Sequence, residues 1–280
     1  MDSKNIFIDV IFLVIFCLLL HNAHVSNKEY DMQVFHTQGK YLHFSLDDVD
    51  ECMHNLSDGK YESIFHEPVL SILKQWHDKY GIVASLYVQN DFKVNSKYAK
   101  ELIANSKWLK FGYHGNSESP VKNDMARFYR QVIDSIGSEI CLDLCPRIHY
   151  FHADHSTCMK LKKLGCKGFL TCDDWSYNSA KRESNYYLSR EQSNTLDKNN
   201  RLLDTENNIH FIKTDFRLEQ IAQRYGSTKN LIAHYTGNIQ ANELIVFGHE
   251  WNFKDYIPQA DSIFTWARQE GFEFDFPMNR

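Results

Sequence analysis

Acidic and imidazole side chains in this chain stand directly after short apolar runs. Residues 41–46 lead into Asp47-Asp48, and residues 108–113 lead into His114. Residues 169–172 lead into Asp173-Asp174, and residues 244–248 lead into His249-Glu250. Runs of this length, rich in β-branched and aromatic residues, read as buried strands. Carboxylates and imidazoles at the exits of several buried strands are what a barrel enzyme needs for a metal site, because barrel chemistry sits at the C-terminal strand ends. In an Asp-Asp pair one carboxylate can hold a divalent ion while its neighbour takes a proton from water. The competing interpretation is a helix cap, which suits Asp50 and Glu51 just beyond.

His114 and His249 share a local frame, Phe-Gly-Tyr-His and Phe-Gly-His. Imidazole is the commonest ligand for zinc-type metals and has an ordinary pKa near neutrality. A glycine just before lets a ligand or another backbone come close. A second polar cluster follows at His149, His152, Asp154 and His155. It either supplies a further ligand, through His149 or His152, or is a helix entry with Asp154 as its cap. Asp215 and Arg217 stand at another strand exit and either meet substrate or pair with each other. Trp175 and Trp251 either line a sugar subsite or pack in the core.

The elements that must position these residues alternate from about residue 40. Strands are expected at 41–46, 82–88, 108–113, 147–151, 168–172, 209–214, 244–248 and 272–276. Helices are expected at 68–80, 96–105, 123–136, 154–164, 217–238 and 258–270. Pro68 suits a first helical turn and Gly81 a helix end. Residues 176–208, rich in Ser, Asn and charge, read as an insertion or a long βα loop. Such alternation fits a (β/α) barrel of parallel strands, with an open doubly wound sheet as the other solution.

Composition narrows the function classes. Of 280 residues, 43% are hydrophobic and 24% charged, which suits one large globular domain. A net charge of −5, with no Lys/Arg-rich block and no Gly-rich phosphate loop, argues against nucleic-acid binding. Residues 6–20 form an apolar stretch, short for a membrane span and closer to a signal-peptide core or an anchor. It gives an N-terminal segment, 1–29, ahead of a single domain, 30–280. Export or membrane association through residues 6–20 would place the protein at the cell envelope or outside it. Seven cysteines without Cys-x-x-Cys pairs read as buried small hydrophobes, and they favour a reducing, cytoplasmic setting instead.

Together these residues resemble the polysaccharide deacetylase family of carbohydrate esterases. That family has a distorted (β/α) barrel and uses one divalent metal to hydrolyse N- or O-acetyl groups from sugars. Ser45-Leu46-Asp47-Asp48-Val49 is similar to its first motif, Thr-Phe-Asp-Asp-Gly. The resemblance implies Asp47 as general base and Asp48 as a metal ligand. His114-Gly-Asn-Ser-Glu118 is similar to the second motif, His-Ser/Thr-x-x-His, with Glu118 where a second histidine ligand would stand. Arg147-Ile-His149-Tyr150 is similar to Arg-x-Pro-Tyr, whose arginine orients the catalytic aspartate. Asp173-Asp174-Trp175 matches the fourth motif, which implies an Arg147–Asp174 pair. Val246-Phe247-Gly248-His249 looks like the fifth, which implies His249 as general acid.

The fold class implied is a distorted seven- or eight-stranded (β/α) barrel. The ion implied is zinc, with cobalt, nickel or manganese as substitutes, and the partner an acetylated glycan. Two other readings stand beside this one. The first is a barrel that binds glycan without catalysis, motivated by Glu118. The second is a different metal hydrolase such as a phosphoesterase, which would need a second metal.

Overall fold

A computed structural model describes residues 30–89, 91–115, 122–173, 185–237 and 242–280. The chain divides into a segment 1–31 and a unit 32–280, and the elements below belong to the latter. In order they are β1 (Met32–Val34), β2 (Tyr41–Asp47), α1 (Asp50–Asp58), α2 (Pro68–Tyr80) and β3 (Ala84–Val88). Then come α3 (Ala99–Asn105), β4 (Leu109–Tyr113), α4 (Lys122–Ile136), α5 (His155–Lys162) and β5 (Gly168–Asp173). The rest are α6 (Arg190–Asn199), β6 (Arg201–Asp204), β7 (Ile209–Thr214), β8 (Phe216–Arg217), α7 (Ile221–Tyr225), α8 (Thr228–Tyr235), β9 (Glu243–His249), α9 (Ile257–Gln269) and β10 (Glu273–Phe274).

Hydrogen bonding joins the strands in two paths, β4-β3-β2-β9-β8 and β1-β6-β7-β5. Only Asp215 separates β7 from β8, so one stave serves both paths. The remaining gap is filled by residues 141–147. On one side Phe111 donates to the Cys141 carbonyl and Asp143 to the Phe111 carbonyl, both at 2.8 Å. On the other, Lys167 donates to Leu144 at 3.0 Å and Leu170 to Pro146 at 3.1 Å. The result is a closed, distorted β/α barrel of seven staves, which settles the choice between barrel and open sheet.

The sequence expects a strand at 147–151. The stave lies earlier and is irregular, and His149–Phe151 forms a 3-10 turn instead. Pro146 has no N–H to give a regular ladder, which explains the displacement. The helix expected at 217–238 is broken into the turn Leu218–Gln220, α7 and α8. The expected loop at 176–208 contains α6 and β6 in its described part. A capping box starts α6: Ser189 accepts from Gln192 N at 3.1 Å, and Gln192 returns the bond at 2.9 Å. Residues 6–20 lie outside the described residues. Among the described ones, no helix is long and apolar enough to cross a membrane.

Alternation along β2 sorts its side chains. Leu42, Phe44 and Leu46 join the shell beneath the helices, where Phe44 meets Trp76 and Phe264 edge-on at 5.7 and 5.4 Å. Tyr41, His43, Ser45 and Asp47 alternate with them and so face the lumen. Tyr41 packs there with Tyr87, Cys145, Leu170, Ile212 and Ile245. Parallel pairing sets Tyr41 opposite Glu243 and Asp47 opposite His249. One inward row thus runs from the barrel floor to its mouth and ends in an acid facing an imidazole. The described cysteines are all buried and unbridged.

The floor is tied by a buried ion cluster. Arg201, from β6, donates to Glu243 at 2.6 Å, to the Tyr41 hydroxyl at 2.8 Å and to the Pro277 carbonyl at 2.9 Å. Removing one partner of a buried pair leaves a bare charge, which costs about 3–5 kcal/mol. Arg201→Met is therefore expected to lower stability to urea by about that amount, and adding Glu243→Leu should recover most of it. An unchanged unfolding midpoint in the single variant would contradict this role for the cluster.

Candidate metal centre

Three side chains converge at the barrel mouth. Asp48, His114 and His149 each place one ligand atom within 4.8 Å of the others. They come from the exits of β2 and β4 and from the turn after the irregular stave. Asp48 is held in the left-handed region, at φ 55°. That conformation is costly for a non-glycine residue and turns the chain sharply after Asp47. The two adjacent carboxylates can then serve one pocket, although successive strand residues face opposite ways. Tyr150 and Phe151 are also left-handed, at φ 55° and 56°, immediately after His149.

The two histidines are held in place by hydrogen bonds. His114 Nδ1 bonds the Arg147 carbonyl, which leaves Nε2 facing Asp48 Oδ1 at 3.5 Å. A second hydrogen bond at one ring nitrogen is how proteins fix the tautomer of a metal-binding imidazole. His149 donates its backbone N–H to the His114 carbonyl at 3.0 Å, and the two rings lie 5.1 Å apart. Burial, reinforced by His114, holds the His149 pKa below its ordinary 6.5, which favours the neutral form. Asp48 Oδ1 and His149 Nδ1 are both buried without a hydrogen-bond partner. Orphaned buried acceptors are expensive in a native fold unless something binds them. One carboxylate and two imidazoles suit a zinc-type divalent ion.

The other expected residues surround this triad. Asp47, 2% exposed, accepts from Arg147 at 3.0 Å. Arg147 is fully buried and also donates to Ser45 Oγ at 3.1 Å and Thr214 Oγ1 at 3.4 Å. Its guanidinium lies 4.1 Å from the centre of the Phe247 ring. Asp174, Trp175 and Glu118 lie outside the described residues. Asp173, beside Asp174, is gripped by Arg217 through bonds of 2.8 and 2.5 Å, with Arg224 at 3.6 Å. Asp215 is a clasp in the barrel wall: it accepts from Ile245 N at 2.8 Å, and burial pushes its carboxyl up to about 6. Asp154 caps α5 by accepting from Thr157 N at 2.7 Å, and His152 is exposed.

His249 faces Asp47 across the β2–β9 pair, and its Nδ1 bonds Glu219. Burial opposes its charged form. The hydrogen bond to Glu219 and the charges of Asp47 and Glu219 outweigh burial and hold its pKa above the ordinary 6.5. Glu219 escaped the sequence reading. It sits in a short turn with no periodic signal, and its only hint is its place two residues after Arg217. Tyr256 donates its hydroxyl to the His249 carbonyl.

The glycines in the two Phe-Gly frames make room for tyrosines. A Cβ at Gly112 would lie 2.3 Å from the Tyr87 ring, and one at Gly248 2.7 Å from the Tyr256 hydroxyl. Trp251 is 69% exposed, with its ring 5.3 Å from that of His249. An open polar cavity of about 590 Å³ lies beside the centre, lined by Asp50, Gln89, Tyr113, Gly115 and Arg127 among others.

No family model and no curated protein matches the chain. Among solved structures, a 4-alpha-glucanotransferase from Thermococcus litoralis superposes with a TM-score of 0.53 at 14% identity. The match covers 86% of this chain but 38% of that one, so the chain spans well under half of that protein's length. This likeness is one of fold. Two further matches are a Streptococcus mutans CE4 esterase and a peptidoglycan N-acetylglucosamine deacetylase. Their TM-scores are 0.43 and 0.39, at 11% and 10% identity, each covering 85% of this chain and 86% of the other.

The geometry places His149 with Asp48 and His114 as a candidate ligand set. Zinc titration against a chelating dye should show one site in the wild type. Asp48→Ala, His114→Ala and His149→Ala should each lose more than the roughly 10–100-fold that removal of an outer partner costs. Wild-type affinity in His149→Ala would refute this ligand set.

Proposed function

We propose that this chain is a metal-dependent hydrolase that removes acetyl groups from a carbohydrate. The observation that carries the reading is the pairing of Asp47 with His249 across neighbouring strand exits, beside Asp48, His114 and His149. An acid and a base flanking a ligand set are the parts that acyl hydrolysis needs. Those three residues would hold the ion, with zinc foremost and cobalt, nickel or manganese as substitutes. Such an ion supplies Lewis acidity for the substrate carbonyl and for water.

The chain's own residues do the rest. Asp47, fixed by Arg147, takes the proton from the attacking water. His249, protonated and held by Glu219, gives a proton to the departing sugar amine or alcohol. Arg147 keeps Asp47 in place and is itself boxed in by Ser45, Thr214 and Phe247. The polar cavity beside Gly115 offers room for hydroxyl-rich rings, and exposed Trp251 offers an apolar face next to the proton donor. Among the described residues a single cluster suits a metal, which favours this reading over a two-metal phosphoesterase. Residues 6–20, read as an export signal or anchor, fit a substrate in the cell envelope.

The test is acetate release from N-acetylglucosamine oligomers by the zinc-loaded protein. Asp47→Asn and His249→Ala should each lose about 10²–10⁴-fold in rate. His249 acts as an acid, so activity falls as pH rises through its elevated pKa. Glu219→Gln removes the carboxylate that raises it, so the alkaline limb should move to lower pH. No acetate release, or full activity in His249→Ala, would contradict the proposal; oligomer binding without turnover would identify a glycan-binding barrel.

A further inference from the structure

Helix α1 starts two residues after Asp48, and its start is capped from elsewhere in the chain. Val49, at the cap position, makes no side-chain hydrogen bond to the helix. The first-turn N–H groups of Glu51 and Cys52 instead donate to Glu250, at 2.8 and 2.7 Å, one to each carboxylate oxygen. Glu250 directly follows His249, at the exit of β9. One side chain therefore ties the β9 exit to the helix that follows Asp47-Asp48. Burial pushes its carboxyl up to about 7, while the two N–H donors pull the other way.

What lies between the tied points is the strained residue. Asp48 has φ 55°, and its carbonyl accepts from Asp50 N at 2.8 Å. Val49 N reaches the Tyr87 carbonyl at 3.5 Å. A left-handed aspartate persists only where its surroundings over-determine it. β2 fixes the residue before it, and α1 fixes those after it only while that helix start is held.

We infer that Glu250 is a positioning residue: by clamping the first turn of α1 to the β9 exit, it holds Asp48 in its ligand conformation and in register with the Asp47–His249 pair. This inference rests on Asp48 being a metal ligand, as proposed above. Without Glu250, the N–H groups of exposed Glu51 and buried Cys52 lose their acceptor, and the 48–50 turn can relax toward ordinary φ values. The Asp48 carboxylate then leaves His114 and His149.

Zinc affinity of the full chain, read by dye competition, tests the clamp without any activity measurement. Glu250→Ala should bind zinc about 10–100-fold more weakly, as for other losses of an outer partner. Glu250→Gln keeps the size and one acceptor, so it should lose less; it also gives the answer should the alanine variant fail to fold. Gly59→Ala is the control. It strains the other end of α1, where φ is +64° and a Cβ would lie 2.7 Å from Asn95. It should lower the thermal midpoint and leave zinc affinity unchanged. The clamp is overturned if Glu250→Ala (or, failing that, Glu250→Gln) binds zinc as the wild type does, or if Gly59→Ala weakens zinc equally. A wild type that binds no zinc removes the metal reading itself, and the clamp with it.

Discussion

One buried cation, the Arg147 guanidinium, organises the mouth of this barrel. It is fully enclosed, so its charge has to be met inside the protein. Asp47 meets it, with Ser45, Thr214 and the Phe247 face as neutral neighbours. The same residue acts through its backbone. Its carbonyl orients His114, and two residues later the chain delivers His149. The proposed base, the orientation of one candidate ligand and the supply of another thus pass through residues 147–149, where the irregular stave ends and the turn begins. A regular strand there would have sent Arg147 and His149 to the same face, with no turn to bring His149 over His114.

Strain and charge are concentrated where that stave and β2 end. Asp48, Tyr150 and Phe151 all have positive φ and bracket the metal site on two sides. Each costs about 1–3 kcal/mol, which the closed barrel beneath can bear. On the opposite side Glu219 offsets the burial of His249 and favours its protonated form. The two imidazole environments are therefore opposed: burial favours the neutral form of His149, which suits a ligand, while Glu219 and Asp47 favour the protonated form of His249, which suits a proton donor. Environments that push titratable groups apart are how one pocket holds separate roles.

Much of this was legible in the sequence, and what was not has identifiable causes. β9 announces itself as an unbroken apolar run, and β2 as one interrupted only by His43 and Ser45, and their last residues are Asp47 and His249. Strand–helix alternation narrows the fold to a barrel or an open doubly wound sheet, and only the closure through residues 141–147 decides between them. The irregular stave was misplaced, since Pro146 and two left-handed non-glycine residues follow no period. His149 was visible only as one of two open alternatives. The Arg147–Asp47 contact could be anticipated from family resemblance alone, because a pairing over 100 residues of chain leaves no local trace. Helix α6 was hidden by its polar composition, with Ser189 and Gln192 as its one local sign. Glu219 and Glu250 act through tertiary contacts that no spacing rule reports.

The strained Asp48 and the out-of-strand His149 would complete one metal centre with His114. Anomalous diffraction at the zinc edge, from crystals grown with one equivalent of zinc, tests it most directly. One peak is expected, contacted by Asp48, His114 and His149, with Asp47 and His249 on either side. A peak bound through Glu118 with His149 turned away, or no peak at that mouth, would contradict it.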